Sequence, residues 1–440
     1  MTDLNKTWVE RDLRTLWHPC TQMKDHEQLP LIPIRSAEGL YLEDFNGKRY
    51  LDAIGSWWVN LFGHCHPVIS AAVKDQLDKL EHVMLAGFTH EPVIALTEKL
   101  LALAPAHFKR CFYTDNGSSS VEVALKMSYH FWHNQGKPKK RVFMTLDNSY
   151  HGETLGALSV TQVGLFKNAY ADLLTPSISL PVADTFHQPA DQSDKAYDDA
   201  ILARIEKIME KEAENTCALI VEPLVQCAAG MRMYRPYFLE KLFQLTRKFE
   251  IHLIADEIAT GFGRTGTMFA SEQATIQADF MTLSKGITGG YLPLAVVLTT
   301  EPIYQVFYDD YASGKSFLHS HTYTGNPLAC RAALATLDLL ASTQAIEKNR
   351  AKTECMRGLL APLQDHPKVA QIRQAGMITA IERVPATRPR WSLRVHEFAL
   401  SQGVLLRPIG QVIYFMPAYI IEEAEMKTLV QVAQSALDLE

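Results

Sequence analysis

Apolar and polar positions along this chain switch repeatedly between two periods. A stretch with apolar residues three and four apart is followed by a short apolar run, and from about residue 90 the exchange recurs. Helical spacing over 92–104 precedes the run Arg110–Thr114, and 118–135 precedes Arg141–Thr145. Likewise 198–213 precedes Cys217–Val221, and 236–249 precedes 251–255. Short strands alternating with helices predict an α/β fold around a mostly parallel sheet covered on both faces. Upstream, Glu38–Gly47 alternates apolar and polar residues and ends in Asn46-Gly47, which predicts a hairpin continued by Arg49–Asp52. Pro67 to His82 carries helical spacing, while residues 1–30 look irregular, anchored by Trp8, Trp17 and Pro19. Downstream, a long helix starts at Pro327 and strands are expected near 376–382, 404–408 and 412–416; a helix over 421–438 closes the chain. With 440 residues there is room for two or three domains of about 150 residues each. The expected division is 1–66, 67–325 and 326–440.

Composition narrows the class of partner. A hydrophobic content of 47% with 21% charged residues is an ordinary globular balance. The formal charge of -6 gives no support for nucleic acid or an anionic membrane as a partner. No apolar run approaches the roughly 18 residues of a membrane helix, and the first residues show no secretory apolar core. Seven scattered cysteines, an odd number without a C-x-x-C pair, predict reduced thiols in a cytoplasmic setting.

Two of the apolar runs end in chemistry. Ile251–Ala255 leads to Asp256-Glu257, and the run through Leu283 leads to Ser284-Lys285-Gly286. An ammonium on an apolar stretch is costly to bury unless it is paired or neutralised. A Schiff base with an aldehyde cofactor resolves that cost, and pyridoxal phosphate also needs an acid at its ring nitrogen. The plain alternative is a lysine that snorkels from a strand end.

Other motifs are weaker singly. Thr114-Asp-Asn-Gly-Ser-Ser-Ser120 sits between a predicted strand and helix. Gly117 and Ser118 there can present amides to a phosphate, or the serines can simply cap the helix. Gly261-Phe-Gly-Arg-Thr-Gly266 matches G-x-G-x-x-G in the wrong context for a dinucleotide. It reads as a flexible loop able to close over a site, with Arg264 reaching substrate. Tyr150 or His151, after the 141–145 strand, could stack on a cofactor ring or merely cover apolar surface. Glu222 could organise the loop after strand 217–221, and Gln226 could donate to a phenolic oxygen. Trp57 and Trp58 read as core or as pocket wall. His64 and His66 suggest metal, but no further ligand at the right spacing supports it. Arg407, after an apolar strand, could clamp a carboxylate or sit at a rim.

Together and in this order, these pieces resemble the fold-type I enzymes of pyridoxal phosphate. The closer resemblance is to the class III aminotransferases, through Ala255–Gly266 and Ser284–Gly290. Trp17-His-Pro19, Ser56-Trp-Trp58, Tyr150-His-Gly152, Gly230–Tyr234, Gly325-Asn-Pro327 and Arg407-Pro408 point to one branch of that family. That branch moves an amino group from S-adenosylmethionine to 8-amino-7-oxononanoate in biotin synthesis. The resemblance runs from about residue 14 to the C-terminus. It implies a large cofactor domain and a smaller α/β lobe built from both chain ends, in a homodimer. By the resemblance Lys285 bears the cofactor, Asp256 pairs with its ring nitrogen and Tyr150 covers the ring. Gly117 and Ser118 bind the phosphate, and Glu222 and Gln226 lie beside the ring. Thr322, with His321 and Ser320 as neighbours, serves the phosphate across a dimer interface. Trp57, Trp58, Tyr150, Arg264, Ser320 and Arg407 are expected at the substrate, with Arg407 implied on a carboxylate. Departures from the pattern are Cys20 where a tyrosine is usual, Ser320 for glycine and Glu153 for aspartate. A related branch takes lysine as amino donor, and other members act on ornithine, 4-aminobutyrate or a diamine. A non-catalytic regulator that binds the same cofactor is the reading outside the enzymes.

Overall fold

The computed structural model describes residues 3–29 and 31–439. They divide into two compact units. The larger comprises 68–351 and 373–379; the smaller comprises 1–67, 352–372 and 380–440, and so draws on both chain ends. Helix Pro327–Ser342, placed by the sequence reading beyond the 325 boundary, is counted in the larger unit.

The larger unit is built on a seven-stranded sheet. Its strands run in the order Phe108–Thr114, Ala295–Thr300, Phe280–Leu283, His252–Asp256, Thr216–Val221, Val142–Leu146 and Ser177–Leu180. Ala295–Thr300 runs antiparallel to both neighbours; the other pairings are parallel. The central strands Thr216–Val221, His252–Asp256 and Phe280–Leu283 are buried at every position. That explains why they read as unbroken apolar runs rather than as alternation.

Helices cover the sheet where their apolar faces meet it. Gly117–Asn134 turns Val121, Ala124, Leu125, Ser128 and Trp132 inward, at the spacing of one helical face. Its start is capped by Asn116, whose side chain accepts from the Ser119 amide at 3.0 Å. Pro236–Lys248 begins on a proline, whose missing N–H costs a first turn nothing, and buries Phe238, Leu239, Leu242 and Thr246.

In the smaller unit, Ile34–Glu38, Tyr41–Asp44 and Arg49–Asp52 form an antiparallel meander. Val404–Leu405 joins its edge in parallel to Arg49–Asp52. The helix Glu423–Leu437 is closed at its start by a capping box between Glu422 and Glu425. The N-terminal segment is not wholly irregular: Leu4–Asp12 is a helix with no buried residue, capped by Asp3. Its polar faces carry no apolar period to reveal it. No helix among the described residues is long and apolar enough to cross a membrane.

Candidate active site

Parallel strands deliver their C-terminal ends to one edge of a sheet, where ligands of open α/β sheets bind. Here that edge collects Gly117-Ser118, Tyr150-His151, Glu222–Gln226, Asp256 and Lys285, each just past or at a strand end. The sequence reading placed all of them after strands; the sheet order makes them neighbours.

Asp256 ends its strand with 4% exposure. Its Oδ1 accepts from the Ile258 amide at 3.1 Å and from Thr282 Oγ1 at 3.2 Å. Its Oδ2 lies 2.7 Å from His151 Nδ1, which must be the donor because the carboxylate only accepts. An ionised carboxylate offers about four acceptor positions. Three are taken, so one remains for a ring N–H. His151 is itself held, its amide donating to Thr161 Oγ1 at 3.0 Å. The sequence reading offered His151 as a stacking ring; the structure puts it behind Asp256 instead.

Lys285 opens a short turn, Lys285–Thr288, with φ of +44°. An L-residue in that region marks strain of the kind that collects at functional sites. Burial holds its amine below the usual lysine range, against the opposing pull of Cys227, Asp256 and Glu222. An amine so depressed is nearer neutrality and fit to act as nucleophile or base. Glu222 accepts from the Tyr150 amide at 2.9 Å and from the Cys227 amide at 3.1 Å. Burial, and then the charge of Asp256, push its carboxyl up to about 8.

The phosphate turn is built by close approach. The geometry of the helix gives the amides of Gly117 and Ser118 no carbonyl within it. A Cβ on Gly117 would stand 3.0 Å from Ile258 Cδ1, and one on Gly152, at φ +125°, would meet Ser118 Oγ at 2.1 Å. Glu153 spans two parts of the site. Its amide donates to Ser118 Oγ at 3.2 Å, and its carboxylate accepts from Tyr150 Oη at 2.9 Å. Gln226 donates to the Asp147 carbonyl at 2.8 Å, while its buried Oε1 has no partner among the described residues. Amide donors at a helix start, a lysine amine and an acid with one acceptor position left fit pyridoxal phosphate.

The glycine loop departs from expectation. Arg264 is 1% exposed, and its carbonyl accepts from the Met377 amide at 2.9 Å. Glu257, buried at the loop's entrance, accepts from Thr260 Oγ1, Ala270 N and Ser271 N. It thereby ties the loop's two ends, and the segment is packed rather than free to swing. Ser320 and Thr322 are exposed and His321 is half-buried, its Nε2 3.3 Å from His319 Nε2.

The remaining residues belong to the smaller unit. Gly55, Ser56, Trp57 and Trp58 all have positive φ, at +54°, +45°, +69° and +75°. A left-handed conformation costs a side-chain-bearing residue about 1–2 kcal/mol. The result separates adjacent indoles. Trp58 is 4% exposed, with its Nε1 donating to Tyr414 Oη at 3.3 Å. Trp57 is 43% exposed. Arg407 lies 5.0 Å from the Trp57 ring and donates to the Cys20 carbonyl at 2.8 Å. The sequence alternatives for this pair are thus divided: Trp58 is core, and Trp57 presents a face.

A sheet edge carrying a depressed lysine amine and a braced aspartate fits an enzyme working through pyridoxal phosphate. The family profile described as "Aminotransferase class-III" matches residues 21–437, and the chain belongs to that pyridoxal-phosphate-dependent family. It is 48% identical over 433 residues to the adenosylmethionine-8-amino-7-oxononanoate aminotransferase of Helicobacter pylori, covering 97% of each chain. The crystal structure of the enzyme of that name from Methanocaldococcus jannaschii is similar at TM-score 0.92 and 34% identity, over 99% of this chain and 100% of that one. An omega transaminase from Pseudomonas jessenii, in complex with PMP, is similar at TM-score 0.93 and 29% identity, over 98% and 97%.

Proposed function

We propose that the protein transfers an amino group from S-adenosylmethionine to the ketone of 8-amino-7-oxononanoate, giving 7,8-diaminononanoate for biotin synthesis. The observation that carries this reading is the 48% identity, along 97% of both chains, to a relative named for those two compounds. Fold and strand-end residues alone support transamination in general.

Bound pyridoxal phosphate supplies the electron sink that the transfer needs. In this reading Lys285 would hold the cofactor, and its amine, near neutrality when buried, would take and return the proton of the reacting carbon, work worth about 10²–10⁴-fold. Asp256 would keep the ring nitrogen protonated, Gly117 and Ser118 would hold the phosphate, and Tyr150 would cover the ring. Glu222 and Gln226 shape the ring's other edge. Arg407 takes the carboxylate of the keto acid, Trp57 faces substrate with Trp58 behind it, and Arg264 keeps a positive charge beside the site. One substrate must leave before the other is aminated, so the kinetics are ping-pong.

We infer a homodimer as well, with Thr322 serving the partner's phosphate beside His321, and Ser320 next to them at the substrate. Support comes from the exposure of this segment and of the apolar residues around it, with Leu318 84% and Tyr323 59% exposed. Cytoplasmic location is supported by the seven free thiols.

The test is a donor panel with purified protein, pyridoxal phosphate and 8-amino-7-oxononanoate. Formation of 7,8-diaminononanoate from S-adenosylmethionine is expected. Product from lysine alone would move the protein to the lysine-donor branch. Amination only of ornithine or 4-aminobutyrate partners would remove the substrate assignment.

A further inference from the structure

The left-handed turn Gly55–Trp58 has a hydrogen-bonded clamp that no substrate role explains. Asp52, buried at the end of the Arg49–Asp52 strand, is its centre. Its Oδ2 accepts from Ser56 Oγ at 2.7 Å and faces His64 Nε2 at 3.1 Å, and its Oδ1 accepts from the Ile54 amide at 3.2 Å. Asn60 Nδ2 lies 3.3 Å from His64 Nδ1. With the amide donating there, Nδ1 is the acceptor, and the His64 proton sits on Nε2 and points at Asp52. His64, a metal candidate in the sequence, is thus accounted for as a donor. The backbone closes the same turn: the Trp58 amide donates to the Ile54 carbonyl at 2.8 Å and the Asn60 amide to Gly55 at 3.0 Å.

Every residue of the turn but Gly55 carries a side chain that disfavours its φ, and conformations of that kind persist only when their surroundings over-determine them. What they achieve is the direction of one indole. In a left-handed turn successive side chains fan out in the opposite sense from a right-handed one. In this turn Trp58 goes inward to Tyr414 while Trp57 goes outward under Arg407. Arg407 rests on that indole, so the turn sets the arginine too.

We propose that Asp52, Ser56 and His64 are positioning residues for substrate recognition, acting through the backbone of the turn on Trp57 and Arg407. The inference rests on the reading in which those two residues contact substrate. Recognition of the cationic amino donor and of the carboxylate of the acceptor then depends on a buried carboxylate that touches neither.

The experiment compares Ser56→Ala, Ser56→Gly, Asp52→Asn and Trp57→Ala in the holoenzyme. Steady-state constants are measured for S-adenosylmethionine and 8-amino-7-oxononanoate, with the cofactor absorption spectrum and the melting temperature. Ser56→Gly removes the hydroxyl but suits positive φ, so its melting temperature should equal or exceed that of the parent. Its KM for both substrates should nonetheless rise on the order of tenfold, as for a misplaced contact, with kcat within about twofold and the spectrum unchanged. Ser56→Ala and Asp52→Asn should show the same KM rise with a lower melting temperature. A folded Ser56→Gly enzyme with parental KM for both substrates would overturn the proposal, whatever the fate of the other two variants. If Trp57→Ala also leaves both KM values unchanged, the underlying contact reading fails with it. If Trp57→Ala raises KM and the Ser56 variants do not, only the clamp is wrong.

Discussion

The strand-end cluster of the larger unit and the tryptophan turn of the smaller one solve the same problem in opposite ways. Around Asp256 a regular sheet supplies direction, and hydrogen bonds from Ile258, Thr282 and His151 supply the detail. Around Trp57 the backbone itself is bent into a disfavoured conformation, and packing of Trp58 with the Asp52 bonds holds it there. The charged groups sit at the ends of regular, buried strands. Trp57 sits on a turn of disfavoured backbone that side-chain bonds hold in place. Lys285 combines the two, a strand-end group on a single strained residue.

The largest effect that could break this contrast is at Lys285. Lys285→Ala should reduce turnover by more than about 10⁴-fold, because covalent attachment and proton transfer are lost together. The melting temperature of the cofactor-free protein should hold or rise, since an amine costly to bury has gone. Collapse of the fold in that variant would show that the strand-end region is held by its reactive group and not by the sheet.

A smaller effect separates detail from direction. His151→Ala should lower kcat about 10–100-fold, the worth of one hydrogen bond to a charged group. His151→Asn, whose amide can stand in for Nδ1–H, should recover much of that in the same assay. Equal impairment of both variants would assign the loss to packing of the ring.

The smallest effect concerns pH. In the cofactor-free protein Glu222 titrates near 8, against about 4.5 for an ordinary glutamate. Its folded value is raised, so the folded state holds an extra proton between those limits. The stability this contributes is fully present below about pH 4.5 and is lost as pH rises through about 8. Chemical denaturation at pH 5 and pH 9 should show a decline that is reduced in Glu222→Gln. An identical decline in that variant would place the proton elsewhere.

Much of the larger unit was legible because burial on both faces writes itself as apolar runs. The strand predicted at 251–255 is found at His252–Asp256, and that predicted at 217–221 at Thr216–Val221. The antiparallel strand Ala295–Thr300 was not singled out, since nothing in its composition separates it from its parallel neighbours. Helices Ala345–Leu360 and Trp391–Ser401 were not singled out within 326–440. Lys285, Asp256 and Glu222 could be proposed because each follows a strand. His151 as the support of Asp256 could not, because the two lie 105 residues apart and only the sheet order joins them. The handedness of Gly55–Trp58 was hidden for another reason. Gly55 permits positive φ, but no residue type at 56–58 announces it.

The antiparallel strand also bears on how the chain reaches its fold. Phe108–Thr114 lies at one edge of the sheet, and its sheet partner is Ala295–Thr300. During synthesis at about 5–20 residues per second, roughly 10–40 s separate the appearance of the two strands. Throughout that interval the earlier strand presents unpaired amides and carbonyls beside apolar side chains, a template for the wrong partner. Closure of this edge is thus a long-range, late event, and nascent chains halted before residue 300 should be the form most in need of a chaperone.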